Sequence, residues 1–424
     1  MTPKPGASAR AGPPGTRAGG ARPPDPFAGD ALWRDVQRYA AFGVHRYGSP
    51  GERAAMDWIE RELRAAGLAA SAQALRMPRQ YVLEHAEVRA GGAVLPAFPH
   101  WWIPQASASF ELGATLARDG EDAHGRLLWL RLPHDGRSYL SDTHRAAIAR
   151  AAARGPAAIL LTIDNPADEI FTYNVDQADP PWPVPVIVLA PAHAPLLEDA
   201  RRDARPLAVA VRGRYERDVP GRNVIGRLDR GAARTVVVST PVSSWFTSTC
   251  ERAPGIASFL ALARHAAAAR ADANFVFAAT AGHEIGHGGM EAFLRAGAPP
   301  AAAVAAWIHL GACNACHRWR RDGEVWRTDG TVDASRRLLV VSPSLREPVE
   351  AAFDGVDAKL FVADEVGIGE LREVKAAGYP AFFGVAGSHR FFHTPADGVE
   401  TTSAAALEPV ARAFARALDA LLAR

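Results

Sequence analysis

The stretch Asn274 to Met290, NFVFAATAGHEIGHGGM, decides how the rest of the chain is interpreted. Its first part, Phe275 to Ala279, is an apolar run of aromatic, β-branched and small residues, which is typical of a buried strand. The run ends at Gly282, and the next residues, His283 and Glu284, follow on a glycine-rich turn. Because open α/β sheets carry their chemistry at the carboxyl ends of strands, the stretch predicts a functional edge at this point.

The same residues allow two interpretations. His283 to His287 spells HEIGH, the HExxH pattern in which two histidines one helical turn apart bind zinc and the glutamate is the base. That motif needs a continuous helix, whereas each of the four glycines between positions 282 and 289 disfavours one by about 1 kcal/mol. In the alternative, which the rest of the chain favours, Glu284 is a single metal ligand on a strand-end loop. His283 then acts beside it as an acid/base group or supports the ligand.

The composition is that of an ordinary globular protein, with 48% hydrophobic and 22% charged residues among 424. The net charge of +2 comes with no concentrated basic patch, so we expect neither nucleic acid nor a membrane surface as a partner. No run of about 18 to 20 apolar residues predicts a membrane span. Three cysteines cannot form a disulfide framework, which favours a reducing compartment, and we expect a soluble cytoplasmic protein.

The pattern along the chain divides it into four parts. Residues 1–30 are rich in Pro, Gly, Ala and Arg without the apolar run of a signal peptide, which indicates a disordered tail. Residues 31–82 have helical spacing, and residues 83–215 contain short strands around an Ala-rich helix, a pattern that resembles a protease-associated domain. Residues 216–424 alternate strands and helices. The fold class is therefore α/β, with a mostly parallel sheet covered by helices on both faces.

The order of these parts resembles metallopeptidase family 28, the zinc aminopeptidases and glutaminyl cyclases, some of whose members are inactive and receptor-like. The resemblance covers residues 31–424. The helix pattern from Gly255 onward is similar to the family's helix behind its bridging carboxylate, which assigns that position to Glu251. The family's glutamate pair, base then ligand, falls on His283 and Glu284. Its last histidine falls on His393, in the sequence FHTPAD.

Two further ligands of that family are missing here. Its first histidine falls within residues 239–243, which read STPVS, and its later aspartate falls within residues 309–311, which read HLG. In the family both serve one metal only, whereas Glu251, Glu284 and His393 match the ligands of the other metal. The resemblance therefore implies a single divalent metal, zinc first, with manganese or iron also suited to two carboxylates and an imidazole.

His283 is the candidate base of such a site. A neutral imidazole with a pKa near about 6.5 can take a proton from metal-bound water and return it to a leaving amine. The alternative is that His283 is a fourth ligand of a closed site. Three neighbours are candidates for additional ligands or substrate contacts: His309, His287 and Cys250.

Four charged residues are candidates for substrate binding. Arg252 and Arg390 would anchor a substrate carboxylate through paired hydrogen bonds. Asp364 and Glu365 fall on the substrate-facing loop of the resembled family, where an acidic pair would receive an α-ammonium group. The run from Cys313 to His317 matches the CxxCH pattern of haem attachment, which we interpret as a coincidence.

The resemblance implies a metal-dependent hydrolase of the aminopeptidase type, which cleaves an amide or related C–N bond of a peptide or small molecule. The alternative is a catalytically inactive protein that keeps the fold for binding, as the missing ligands and the missing glutamate base suggest. A zincin endopeptidase would require an unbroken helix from His283 to His287. The oligomeric state is not indicated by the sequence.

Overall fold

The computed structural model describes residues 1, 24–118, 120–323 and 325–423. Most of the expected tail of residues 1–30 therefore lies outside the described residues. Its last part does not match the expectation, because Phe27 is buried and packs edge-on against His265. The first helix begins at Gly29. Within the described residues before position 31, one aromatic side chain thus reaches the core and a helix has already begun.

The helices and strands follow one another in the order expected for an α/β protein. The helices are α1 (Gly29–Ala40), α2 (Pro50–Ala65), α3 (Asp142–Ala152), α4 (Ala194–Arg202), α5 (Thr249–Ala268), α6 (Gly288–Ala296), α7 (Arg346–Ala352), α8 (Leu371–Ala376) and α9 (Ala404–Leu422). The strands are β1 (Ala69–Ala90), β2 (Ala93–Pro99), β3 (Phe110–Ala114), β4 (Leu127–Pro133), β5 (Ala158–Asp164), β6 (Val186–Leu189), β7 (Leu207–Leu228), β8 (Thr235–Pro241), β9 (Asn274–Thr280), β10 (Val304–Leu310), β11 (His317–Asp322), β12 (Val325–Val332), β13 (Arg337–Val341), β14 (Lys359–Val362) and β15 (Phe382–Gly387).

One large sheet runs through the molecule in the order β14-β13-β15-β10-β8-β9-β7-β1-β2-β6-β5-β4, with β3 paired to β7. Around β8 the neighbouring strands β9, β10 and β15 run parallel, while β13 and β7 pair in the antiparallel sense. Strands β11 and β12 form a separate hairpin. The predicted α/β class with a mostly parallel central sheet is confirmed.

Helices cover both faces of the central strands, as the alternation in β9 shows. Phe275 and Phe277 point into the core that contains Phe259 of α5. The residue between them, Val276, belongs to a second core on the other face, which includes Phe293 of α6. Because successive strand residues face opposite sides, a strand buried on both sides must be apolar throughout, and β9 is.

Strands β1 and β7 join the two halves of the molecule. Each has 22 residues, and they pair antiparallel from Ala69 with Arg227 to Ala90 with Leu207, with one irregularity between Leu83 and His85. The predicted boundaries of the inserted domain, residues 83 and 215, fall inside these continuous strands. The insert therefore remains a prediction, and the structure places no break in the backbone at either boundary.

Among the helices that the structure describes, none combines the length and the apolar character that crossing a membrane requires.

Candidate functional site

The turn after β9 carries His283 and Glu284 at the carboxyl edge of the sheet. Gly282 and Gly286 have φ angles of 70° and 95°, in the left-handed region that only glycine adopts readily. Between them lies one 3₁₀ turn, His283–Ile285, and α6 starts afterwards at Gly288. The HExxH interpretation required a continuous helix through both histidines, so it is wrong. The glycines break the helix as their intrinsic preference predicts.

The first turn of α5 carries Glu251 and Arg252, and Asp397 fixes its position. The two carboxylate oxygens of Asp397 accept hydrogen bonds from the backbone N–H groups of Cys250 (2.9 Å) and Glu251 (3.1 Å). An acidic group at this end of a helix satisfies free N–H groups and interacts favourably with the helix dipole. Because Asp397 lies four residues after His393, this cap also brings the histidine to α5.

Arg252 lies between two of the predicted metal ligands. Its Nη2 atom is 2.5 Å from Oε1 of Glu284 and 2.9 Å from Oε1 of Glu251, and all three side chains are at most 4% exposed. Its Nε atom donates to the carbonyl oxygen of Ser243 at 2.9 Å. The Ser243 hydroxyl donates to the other oxygen of Glu284 at 3.0 Å. The predicted substrate anchor thus holds the carboxylates of its own chain.

His393 completes this cluster. Its Nε2 atom faces Glu251 Oε1 at 3.4 Å, and its Nδ1 atom lies 2.9 Å from the carbonyl oxygen of Thr172. Because a carbonyl only accepts, Nδ1 carries a proton in this arrangement. The structure therefore brings Glu251, Glu284 and His393 together, as the sequence resemblance implied.

The charges of the cluster depend on one another. Burial raises the pKa of both glutamates, and for Glu251 the charge of Arg252, together with the neighbouring His393 ring, outweighs burial and brings the pKa to about 2. For Glu284 the effect of burial is larger than that of the Arg252 charge, so the pKa of Glu284 is raised. Glu251 is thus the firmly ionised partner of the guanidinium.

The same geometry bears on the predicted metal. Across the ranges that the structure describes, no group of three or more His, Cys, Asp or Glu side chains is arranged to hold a metal ion. The reason is visible at Glu284, where both oxygens already accept hydrogen bonds, from Arg252 and from Ser243. A metal on these residues would also meet the guanidinium charge. In this arrangement the three candidate ligands do not fit a metal.

His283 pairs with a carboxylate that the sequence analysis missed. Its Nδ1 atom is 3.0 Å from Oε1 of Glu370, which is completely buried just before α8. Burial, with Arg252 next, lowers the pKa of His283 well below its usual range, and burial raises the pKa of Glu370 to about 7. The Thr280 hydroxyl also donates to Glu370.

His287 has a similar partner one helical turn further along α8. Its Nδ1 atom is 3.1 Å from Oε2 of Glu373, and its ring stacks on that of His283 with 4.4 Å between centroids. Although burial opposes the charged form, Glu373 raises the pKa of His287. The sequence does carry a signal for these two carboxylates. Glu370 and Glu373 are three residues apart beside the apolar Leu371 and Val374, a spacing typical of one face of a helix.

The remaining candidates lie apart from the cluster or have other partners. His309, at the end of β10, is buried, and its Nδ1 atom is hydrogen-bonded at 2.9 Å to the Ser239 hydroxyl, which also accepts from the Trp307 indole. The Cys250 thiol is 3.1 Å from that of Cys316. Arg390 stacks on Trp326 at 3.9 Å. Asp364 and Glu365 are exposed on the surface.

A segment of the predicted insert, residues 170–176, covers the cluster. The N–H of Thr172 donates to the carbonyl of His393 at 3.2 Å, and that of Val175 donates to the carbonyl of Glu284 at 3.0 Å. Asn174 accepts a hydrogen bond from the indole of Trp245 at 2.9 Å. We call these residues the covering segment. Only 13% of the His283 side chain is exposed beside them.

Solved structures with a similar fold include a zinc aminopeptidase, a second aminopeptidase and a peptidase M28 precursor. BSAP, a zinc aminopeptidase from Bacillus subtilis, aligns with a TM-score of 0.70 at 15% identity, over 93% of this chain and 95% of that one. A peptidase M28 precursor from Shewanella amazonensis gives 0.66 at 14% identity, over 94% and 96%. An aminopeptidase from Aneurinibacillus gives 0.61 at 16%, over 92% and 93%.

These similarities confirm the resemblance to metallopeptidase family 28 at the level of the fold. No protein-family model matches the sequence, and no curated protein matches it. Because one fold can carry several functions, the activity has to be argued from the site itself.

Proposed function

We propose that the chain is a hydrolase of the aminopeptidase type, which cleaves an amide or related C–N bond in a peptide or small molecule. The observation that carries the proposal is the pair of His283 and Glu370, 3.0 Å apart, beside the buried cluster of Glu251, Arg252 and Glu284. The pair lies at the carboxyl edge of the parallel strands, where α/β folds bind their substrates.

His283 is the proposed acid/base group. Glu370 holds Nδ1, which leaves Nε2 to exchange protons with water and with the leaving amine. In the covered state burial keeps the ring neutral, because the pKa is well below its usual range. Water reaching the ring on opening would bring the pKa back toward about 6.5, which suits a base at neutral pH.

Substrate access requires the covering segment to move. Its main-chain hydrogen bonds to the carbonyls of His393 and Glu284 close the site directly above the cluster. Two such bonds contribute about 1 to 3 kcal/mol together, which thermal opening or a bound substrate can offset. Covering loops of this kind exclude water during a reaction.

The predicted divalent metal has a place in this proposal only if Arg252 moves. Zinc, manganese and iron all suit the ligand types of Glu251, Glu284 and His393. As these residues are arranged, Arg252 occupies the space among them, so we assign no step of the reaction to a metal.

A second candidate function is binding without catalysis. Arg252 favours it, since a guanidinium that pairs with two carboxylates occupies the centre of the site. In that case the aminopeptidase fold would serve to hold a peptide or small molecule.

The two candidates are separated by measuring turnover on amino-acyl p-nitroanilides, amino-acyl amides and small amides. We expect activity in the parent and a loss of about 10²- to 10⁴-fold in His283→Ala, as is usual for an acid/base group. Glu347→Gln, a change of an exposed carboxylate on α7, is the control and should leave the rate unchanged. Absence of turnover on the whole panel, with and without added zinc, would contradict the hydrolase and leave the binding protein.

A further inference from the structure

We propose that the guanidinium of Arg252 is a built-in cation that takes the place of a divalent metal in this site. The inference does not depend on the hydrolase proposal, because it concerns which positive charge the carboxylates hold. It rests on the contacts of Arg252 and on the atoms around it that have no partner.

The charge balance is the first argument. Arg252, Glu251 and Glu284 are buried together, and an isolated buried charge is strongly unfavourable. Two carboxylates and an imidazole converging on one point are stabilised by a cation at that point. Nη2 of Arg252 stands there, within 2.9 Å of an oxygen of each glutamate.

The fixed position of the guanidinium is the second argument. Its Nε atom donates to the carbonyl of Ser243, and the hydroxyl of the same serine donates to Glu284. The side chain is therefore held from two directions, and its Cα is fixed in the first turn of α5. An arginine side chain that is fixed by these hydrogen bonds is a structural part of the site.

The unpartnered atoms are the third argument. Nε2 of His393 and Oε2 of Glu251 are buried without a hydrogen bond, and Oε1 of Glu251 has only the ion-pair contact with Arg252 at 2.9 Å. Thr172 holds Nδ1 of the histidine, so Nε2 is the ring atom that faces Glu251. Metal-binding histidines are oriented by a carbonyl in the same way. Glu251 and His393 thus keep atoms free for another partner, whereas both oxygens of Glu284 are satisfied, by Arg252 and Ser243.

Removing the guanidinium should therefore create a metal site. In Arg252→Met the methionine has a similar length and no charge, so Glu284 loses its strongest partner. Glu251, Glu284 and His393 would then surround a space with net negative charge, which suits zinc.

The experiment measures bound metal after incubation with zinc chloride and desalting, by elemental analysis. We expect the parent to retain none and Arg252→Met to retain one equivalent, with a higher melting temperature in zinc because the ion binds the folded state. The double variant Arg252→Met with His393→Ala should lose the metal again.

Arg264→Met is the matched control. Arg264 also lies between two carboxylates, 3.0 Å from Asp35 and 2.7 Å from Glu62, but away from the cluster. The Arg264→Met variant should retain no zinc. If Arg252→Met is unfolded as purified, refolding with and without zinc replaces the desalting step, and we expect recovery of folded protein only with zinc.

Two outcomes would overturn the inference. One is a parent protein that retains one equivalent of zinc and loses it in His393→Ala. The other is a variant at Arg252 that neither retains zinc when folded nor recovers with it. This metal assay is independent of the turnover assay. A parent protein that binds no metal and shows no turnover would contradict the proposed hydrolase and leave this inference standing.

Discussion

Nδ1 of His283 and Oε1 of Glu370 lie 3.0 Å apart and connect the turn after β9 to the start of α8. The contact joins two parts of the chain that are 87 residues apart. It gives the proposed acid/base group a fixed orientation, and the burial of Glu370 makes stability depend on pH.

The first prediction concerns that pH dependence. Burial raises the pKa of Glu370 from 4.5 to about 7, so the folded protein holds its proton more tightly than the unfolded chain. This contribution to stability is fully present below pH 4.5 and is lost as the pH rises through about 7. Glu370→Gln does not titrate. Its melting temperature relative to the parent should therefore be higher at pH 8 than at pH 5, and parallel curves would contradict the assignment.

The second prediction concerns the buried cluster. Glu284→Ala leaves Arg252 with one carboxylate instead of two, and breaking a buried ion pair costs about 3 to 5 kcal/mol. Glu62→Ala removes a carboxylate from Arg264 at a partly exposed pair and should cost about 1 kcal/mol or less. Urea unfolding of the two variants gives the comparison. Equal losses would show that the cluster is not desolvated as the structure has it.

The third prediction concerns the covering segment. Asn174→Ala removes the acceptor of the Trp245 indole, and losing about 1 kcal/mol should open the segment roughly fivefold more often. Hydrogen exchange at the amides of Thr172 and Val175 measures this opening, since both amides donate across the site. Ser335→Ala, on an exposed loop, is the control. Unchanged exchange at these two amides would mean that the indole does not hold the segment closed.

The fourth prediction concerns the cysteines. Sγ of Cys250 and Sγ of Cys316 are 3.1 Å apart, and Cys313 packs in the same buried group. Treatment with diamide should join Cys250 to Cys316, with two electrons and two protons passing to the reagent. Mass spectrometry of non-reduced peptides would identify the link. We expect the link in Cys313→Ser as well, and a linkage of Cys313 to Cys316 instead would contradict the geometry.

The sequence predicted the parts of this fold that depend on local pattern. Phe275 to Ala279 forms a strand because it is apolar on both faces, and Gly282 and Gly286 break the helix because they adopt positive φ angles. Glu251 and Glu284 both contact Arg252, and His393 faces Glu251, since strand ends and helix starts share one edge of a parallel sheet. Their role as metal ligands stays a prediction.

The rest depends on contacts that a single sequence does not reveal. Arg252 was predicted to anchor a substrate carboxylate because a guanidinium forms paired hydrogen bonds with one, and only the packing shows that it is buried against Glu251 and Glu284. Glu370 comes from a distant helix, while the acidic pair named in its place, Asp364 and Glu365, is exposed. The covering segment was also missed, because its role arises from main-chain hydrogen bonds that carry no residue signature.

The continuous pairing of β1 with β7 limits which parts of this chain can be removed without damage to the site. Without residues 84–214, Ala69 to Tyr81 would still pair with Tyr215 to Arg227. The Thr172 carbonyl would no longer hold Nδ1 of His393, and the Val175 N–H would no longer reach the carbonyl of Glu284. Residues on both sides of the predicted boundaries therefore build one site, and a shortened form should keep its paired strands but lose the fixed orientation of His393.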